Sequence, residues 1–201
     1  MHCEEYLPPH HKIFCENCFL ELECFSLGED RCLNCFNLKE DFHKACRICE
    51  KAIFTALLAV FPLNGATLTL HAKLKTIHGS YLCQAASSFM ALQIIQAGWP
   101  LPDIIIALPQ TAGEKLFQNH NYNTFIAKEL ALLLNRPLVN PFRFNLKKLD
   151  FSCIKQHVVE NKNLLVVADI LPNKGKLHAC AEILVQGYPK NIYGIALCQT
   201  E

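Results

Sequence analysis

One stretch near the C-terminal end of the chain constrains its fold most strongly. Residues 164–167 are four consecutive large apolar residues, a single carboxylate follows at Asp169, and residues 172–176 are Pro-Asn-Lys-Gly-Lys. Apolar residues return over 177–185, so the pattern predicts a buried strand, a loop and a helix. Such a loop presents backbone N–H groups and the positive end of a helix to one point, which suits a phosphate group. An ordinary turn without a ligand explains the same residues and stays an alternative.

This segment resembles the 5-phosphoribosyl-1-diphosphate (PRPP) loop of type I phosphoribosyltransferases, in which a hydrophobic strand ends in two acids followed by a Thr/Gly-rich turn. The chain has Ala168 in place of the first acid, and lysines replace the hydroxyl donors of the turn. The resemblance implies that Asp169 holds the ribose diol or a magnesium ion. It also implies that the loop binds phosphate, through Asn173, Lys174, Gly175 and Lys176. The substitutions indicate a pocket that still attracts an anion but has lost part of the apparatus for phosphoribosyl transfer.

Charge is distributed unevenly along the chain. Residues 1–50 contain ten acidic and five basic side chains, residues 51–201 contain eight acidic and 14 basic ones, and the total net charge is +1. An anionic ligand is therefore expected on the basic body rather than on the acidic N-terminal part. The near-neutral total argues against a strongly basic, histone-like binder. Solvated surface charge explains the same distribution and stays open.

Cysteine usage indicates a reducing compartment and a bound metal. Eight of the 12 cysteines lie in the first 50 residues, and the N-terminus shows no basic region followed by an apolar stretch and a small-residue cleavage site. The longest apolar run, residues 53–61, is far shorter than the ~20 residues of a membrane-spanning helix. We expect a cytoplasmic protein with no membrane span, in which clustered thiols bind metal rather than form disulfides.

Three Cys-x2-Cys pairs have the spacing that lets two thiolates on a tight turn reach one zinc ion. The first two pairs form a C-x2-C-x13-C-x2-C set, which is the first choice for a four-thiolate site. The third pair either combines with the first or joins Cys3, Cys24 or His43 in a second site. The zinc is expected to be structural, because a segment with so little apolar core gains folding energy from the ion. The predicted ligands are Cys15, Cys18, Cys32, Cys35, Cys46 and Cys49.

A cysteine module followed by a phosphoribosyltransferase-like body resembles the ComF family of competence-associated proteins. The resemblance is carried by Arg-Cys-Leu-Asn-Cys over residues 31–35, by Ala-Cys-Arg-Ile-Cys over residues 45–49 and by the order of elements. It divides the chain into a zinc module, residues 1–50, and a phosphoribosyltransferase-like domain, residues 51–201. It implies an accessory role in DNA uptake, with single-stranded DNA, a phosphorylated small molecule or proteins of DNA uptake as partners.

Three further positions are ligand candidates through this resemblance. Lys75 stands where ComF-like proteins carry a lysine after a helix, and Tyr122 and Asn123 stand where the family shows the last two residues of Arg-Gly-Phe-Asn. The arginine of that motif is replaced by His120, which is positive only when protonated. Structural explanations stay open, because a lysine at a helix end is stabilised by the helix dipole and Asn123 is a candidate N-cap.

The remaining pattern alternates strands and helices. It predicts strands over residues 54–61, 102–109, 137–144 and 191–197, and helices over residues 66–75, 80–97 and 124–134. The core face of the second helix is expected to contain Leu82, Ala85, Ala86, Phe89, Leu92 and Ile95. The fold class is therefore α/β, with a doubly wound parallel sheet of the kind that the phosphoribosyltransferase resemblance implies and a small N-terminal zinc module. Ligands of such sheets bind outside the carboxyl ends of the strands, which places Leu108 and the 169–176 loop on one edge.

Two functional hypotheses from different classes follow. In the first, the chain is a ComF-like accessory protein whose degenerate PRPP loop binds a phosphorylated ligand or single-stranded DNA. In the second, it is an active phosphoribosyltransferase acting on PRPP in nucleotide metabolism, with Asp169 and magnesium holding the ribosyl centre. A third hypothesis treats the cysteine module as a protein-docking device and the body as a scaffold.

Overall fold

The computed structural model of the 201-residue chain describes residues 20, 22–26, 31–32, 36–39, 53–75, 80–110, 121–145, 150–153, 156–171 and 176–200. These residues form a mixed α/β fold. Its elements, in chain order, are β1 (Ala56–Pro62), α1 (Gly65–Leu74), α2 (Ser80–Gln96), β2 (Ile104–Ala107), α3 (Tyr122–Leu134), β3 (Phe142–Asn145), β4 (Asp150–Cys153), α4 (Gln156–Val159), β5 (Asn163–Leu171), α5 (Lys176–Val185) and β6 (Asn191–Gln199).

A four-stranded parallel sheet in the order β1, β6, β5, β2 organises the fold. A single parallel bridge from Ile105 to Leu138 continues the sheet beyond β2. The chain therefore steps outward from β1 to β2 to Leu138 and then returns to β5 and β6. Because parallel crossovers are right-handed, these two directions of travel place helices on opposite faces of the sheet. The prediction of an α/β fold with a parallel sheet is confirmed.

The central strands are buried on both faces. In β5, residues 164–168 are at most 1% exposed, and residues 195–198 of β6 are 0% exposed. Near-continuous apolar runs of this kind are what a parallel sheet covered on both sides requires. Gly194 is needed in β6, because a Cβ atom there would lie 2.3 Å from Cδ2 of Leu57 and 3.1 Å from the ring of Phe54.

The buried face of α2 differs from the prediction. Leu92 and Ile95 are 54% and 66% exposed. Apolar residues surround this helix, so a helical spacing fits more than one face. The Oγ atom of Ser87 donates a hydrogen bond to the carbonyl of Ile126 in α3 at 2.9 Å, which holds a different face against the core. The buried stripe consists of Leu82, Cys83, Ala86, Ser87, Met90, Gln93 and Ile94.

The strand predicted over residues 137–144 is two separate pieces. Leu138 makes the single bridge to Ile105, and β3 pairs antiparallel with β4 in a separate two-stranded sheet. Pro141 lies between the pieces and has no N–H group to continue a ladder. The other predicted strands and helices are confirmed, with shifts at their ends. Within the described ranges, no helix combines the length and the apolarity needed to cross a membrane.

Parts of the first 50 residues pack against the sheet. The N–H of Phe25 donates to the carbonyl of Val60 in β1 at 2.8 Å, and the side-chain amide of Gln93 donates to the carbonyl of Phe25 at 3.0 Å. The Arg31 guanidinium lies 4.1 Å from the centroid of the Phe25 ring and donates to Oε1 of Gln199 in β6 at 3.1 Å. The domain boundary predicted after residue 50 lies outside the described residues, so the separate module stays a prediction.

Candidate anion site at the carboxyl edge of the sheet

Asp169 lies where the buried interior of β5 gives way to its carboxyl end. The five residues before it are buried, whereas its own side chain is 22% exposed. Its Oδ1 atom accepts a hydrogen bond from the N–H of Ile170 at 2.9 Å. One of the two strands that pair with β5 is β2. The direction in which successive strands are added to the sheet reverses between β2 and β5. Open α/β sheets bind their ligands at such a reversal, outside the carboxyl ends of the strands.

Asn123 joins the ends of β2 and β5 at this point. Its Oδ1 atom accepts from the backbone N–H of Asp169 at 2.7 Å, and its Nδ2 atom donates to the carbonyl of Leu108 at 3.3 Å. The prediction that Asn123 is an N-cap is wrong, because α3 begins at Tyr122 and its N-cap residue is Asn121. The buried amide of Asn123 instead holds the two strand ends in position.

Two side chains from the C-terminal end of α1 meet the carboxylate of Asp169. The Nε2 atom of His71 lies 3.1 Å from Oδ2 of Asp169, and the Nζ atom of Lys75 lies 3.5 Å from the same oxygen. Lys75 is the C-cap residue of α1, and residues four apart project from one helix face. His71 is buried and the Lys75 side chain is 36% exposed. Lys75 is therefore the cation of this group that a ligand in solvent can reach.

His71 is the functional candidate that the sequence analysis missed. It occupies a buried position of α1, a face otherwise made of Ala66, Thr67, Leu70 and Leu74. A histidine among apolar residues on a buried helix face, four residues before a predicted ligand, is the signal that could have identified it.

The surroundings of Asp169 keep it ionised. Burial has the largest single effect on its pKa and raises it, but the hydrogen bond from His71, the charges of Lys75 and His71 and the N–H of Ile170 together outweigh burial. The pKa of Asp169 therefore lies below its ordinary value of 3.8. The pKa of Cys198 in β6 is raised, in contrast, to about 12. Burial is the larger cause and the negative charge of Asp169 the smaller one. Cys198 is a neutral thiol beside a charged carboxylate.

Tyr122 connects the start of α3 to the end of α1. Its hydroxyl group donates to the carbonyl of Lys75 at 2.5 Å, and the N–H of Lys75 donates to the carbonyl of Ala72 at 3.2 Å. The backbone of Lys75 is thus held on both sides. The structure brings together four of the eight predicted ligand residues, places Lys176 at the start of α5, and leaves three outside the described residues, namely Asn173, Lys174 and Gly175.

Only one of the six predicted zinc ligands, Cys32, lies in the part of the chain that the structure describes. Its carbonyl accepts from the N–H of Phe36 at 2.7 Å, and its N–H donates to the carbonyl of Asn37 at 2.9 Å. Among the described residues, no group of three or more His, Cys, Asp or Glu side chains could hold a metal ion. The zinc site therefore stays a prediction.

Magnesium fits poorly at Asp169. Mg²⁺ requires near-octahedral oxygen ligands at about 2.0–2.1 Å. Both carboxylate oxygens of Asp169 already have nitrogen partners, and one of these partners is the ammonium group of Lys75. The residue directly before Asp169 is Ala168, which has no metal-binding side chain and is 0% exposed. In the described part of this edge, the groups that meet Asp169 are N–H donors, which suit an anion.

No family model matches the chain, and no curated protein matches it. Among solved structures, it is similar to the hypoxanthine phosphoribosyltransferase of Trypanosoma cruzi, with a TM-score of 0.38, 13% identity and coverage of 64% of this chain and 68% of that chain. It is also similar to HGPRT-ase from Leishmania tarentolae in complex with GMP, with a TM-score of 0.34, 14% identity and coverage of 65% and 66%. A likeness this distant carries no argument about activity and leaves the function to be inferred from the chain's own residues.

Proposed function

We propose that the chain is a cytoplasmic, ComF-like accessory protein of DNA uptake whose phosphoribosyltransferase-like body binds a phosphorylated ligand at the carboxyl edge between β5 and β2. Single-stranded DNA is the ligand expected for that role, and a phosphorylated small molecule would use the same edge. One observation carries the proposal: the single remaining acid, Asp169, is paired with His71 and Lys75 at 3.1 and 3.5 Å.

This pairing changes what the edge attracts. An uncompensated carboxylate repels phosphate, whereas the charge of Asp169 is balanced by Lys75, and His71 adds a positive charge when it is protonated. A lysine ammonium group has three N–H donors, and the pair with Asp169 uses one of them. The sequence places Lys174 and Lys176 in and directly after the adjoining loop. These features support the binding of an anion.

Filter binding with a short single-stranded oligonucleotide at several salt concentrations tests the proposal. We expect log affinity to fall linearly with log salt concentration, because phosphate binding releases counterions. Lys75→Met should make this slope shallower by about one unit. Lys73→Met is the matched control, since Lys73 is exposed on the same helix but two residues away, on another face. Absence of binding at low salt would contradict a nucleic-acid ligand.

The alternative, an active phosphoribosyltransferase, makes a different prediction. Calorimetry with PRPP and magnesium would then show binding that disappears in Asp169→Ala. The pairing of Asp169 with His71 and Lys75 counts against it, since a carboxylate engaged by the chain's own cations is poorly placed to hold a ribose diol or a metal. Absence of PRPP binding would exclude the enzyme.

We further propose that the cysteine-rich segment binds zinc in a structural role. The three Cys-x2-Cys pairs support this. Elemental analysis of the purified protein should find stoichiometric zinc, and Cys32→Ser should reduce it. Full-length protein that is folded and free of zinc would contradict this part of the proposal.

A further inference from the structure

We infer that the carboxyl-edge site binds phosphate without a divalent metal ion, with Asp169 acting as a fixed counter-ion that orients Lys75 rather than as a metal ligand. The inference rests on the proposed function, because it concerns how the same site holds its ligand. It reverses the role that the resemblance to phosphoribosyltransferases gives to this carboxylate.

The first argument is the occupancy of the carboxylate. Its Oδ1 atom accepts from the N–H of Ile170 at 2.9 Å, and its Oδ2 atom lies 3.1 Å from Nε2 of His71 and 3.5 Å from Nζ of Lys75. A metal ion bound to Oδ2 would have to displace one of these groups or lie close to a like charge. At such separations, repulsion between unit charges is substantial even near a protein surface. The carboxylate is therefore already neutralised by the chain itself.

The second argument is that the described part of the edge has no second acid beside Asp169. Position 168 is Ala168, and its side chain is 0% exposed. Successive side chains of a strand point to opposite faces, so residues 168 and 169 do not face the same side of β5. Within the described ranges, no group of three or more metal-binding side chains surrounds Asp169. From these described residues a magnesium ion would have one protein carboxylate and nitrogen neighbours, which is a poor set for a hard cation.

The third argument is the way in which Lys75 is held. Its carbonyl accepts a hydrogen bond from the hydroxyl of Tyr122 at 2.5 Å, and its ammonium group is drawn toward Asp169 while the side chain stays 36% exposed. His71 is buried, and its Nε2 atom lies 3.1 Å from the same oxygen of Asp169. A phosphate approaching from solvent meets an ammonium group that is already oriented. Lys75 is then the ligand-contacting residue, and Asp169 and His71 are positioning residues.

Calorimetric titration of the full chain with ribose 5-phosphate and with a short single-stranded oligonucleotide tests the inference. Each titration is run in resin-treated, metal-free buffer and again with magnesium chloride. A soluble chelator is avoided so that zinc on the cysteines is not removed. We expect the affinity for ribose 5-phosphate to agree within about twofold between the two buffers, since no metal bridges ligand and protein. Lys75→Met should weaken it about tenfold, and Lys73→Met should leave it unchanged.

Asp169→Asn separates the two roles by the sign of its effect. If Asp169 is a counter-ion, the amide oxygen introduced by this substitution still accepts from Lys75 while the negative charge beside the phosphate is removed, so binding tightens several-fold. If Asp169 is a metal clamp, the same substitution abolishes binding. Circular dichroism and urea denaturation establish that the variant is folded. Should it fail to fold, the comparison of the two buffers with the unaltered chain decides alone.

The outcomes distinguish failure of this inference from failure of the proposed function on which it rests. Binding of either probe in metal-free buffer supports the inference. Binding that requires magnesium and is lost in Asp169→Asn overturns the inference and leaves a phosphate site in place. Absence of binding of both probes in both buffers overturns the proposed function and the inference with it.

Discussion

The interior of the sheet and its carboxyl edge are built in different ways. In the interior, residues 164–168 of β5 and 195–198 of β6 are defined by type, because each is apolar and buried. At the edge, particular atoms meet across long stretches of sequence, since Asp169 contacts residues 46 and 98 positions away, Asn123 and His71. The interior should therefore tolerate the exchange of one apolar residue for another but not for a polar one. The edge should depend on the identity of each polar residue. Four measurements test this difference between the two regions.

The largest effect is expected for Ala168→Asp, which introduces a carboxylate into the interior of β5. Position 168 is 0% exposed and pairs with Ala196 of β6. An unpaired buried carboxylate costs several kcal/mol, so we expect the free energy of unfolding to fall by about 4 kcal/mol or the chain not to fold. Urea denaturation measures this, with Ala168→Ser as a control expected to lose about 1–2 kcal/mol. Unchanged stability would show that the edge extends further into β5 than the burial pattern indicates.

The next largest effect is expected for Asn123→Ala at the edge. The substitution leaves the N–H of Asp169 and the carbonyl of Leu108 without their partner, which should cost about 2–4 kcal/mol. Asn121→Ala is the matched control, because the Asn121 side chain makes no capping hydrogen bond, and it should change stability by less than about 0.5 kcal/mol. Faster hydrogen exchange at the Asp169 amide in the first variant only would locate the loss. Equal losses in the two variants would argue against the link between β2 and β5.

A smaller effect is expected in acid and depends on Asp169 alone. Its pKa is lower in the folded chain than its ordinary 3.8, so its contribution to stability is present above that value and is lost as the pH falls through the folded-state pKa. The stability difference between the wild type and Asp169→Asn should therefore be present at about pH 5 and shrink below about pH 4. Urea denaturation at a series of pH values measures it. A difference that grows in acid would have the wrong sign for an ion-paired carboxylate.

The smallest effect concerns thiol reactivity and leaves the fold intact. Burial first, and the charge of Asp169 second, raise the pKa of Cys198 to about 12, and burial first, with the charge of Glu129 second, raises that of Cys83 to about 11. Cys24 is exposed. Burial also raises the pKa of the Cys24 thiol. Because this thiol is exposed while the other two are shielded from the reagent, we expect iodoacetamide to label Cys24 at least ~10-fold faster than either buried thiol at about pH 8. Peptide mapping by mass spectrometry reports the rates, and equal rates in the native protein would contradict the burial of β6.

The difference between the two regions also explains which features of the structure could be predicted from the sequence. The strands and helices were predictable because apolar runs and helical spacing are local signals, as in β5 and α5. The core face of α2 was not, since Leu92 and Ile95 have the same spacing as the buried residues and the choice is made by Ser87 and its partner in α3. Lys75, Tyr122, Asn123 and Asp169 were identified through a family resemblance. Their contacts with one another, and with His71, depend on the topology that brings α1, α3 and β5 to one edge.

Arg31 links the first part of the chain to its last strand. Its guanidinium lies over the ring of Phe25 and reaches Oε1 of Gln199, while the backbone of Phe25 pairs with Val60 along the outermost strand. Removal of residues 1–50 would leave that strand with an unpaired flank, and such flanks invite association with other chains. A truncated body is therefore expected to self-associate, so the first 50 residues also protect the solubility of the rest.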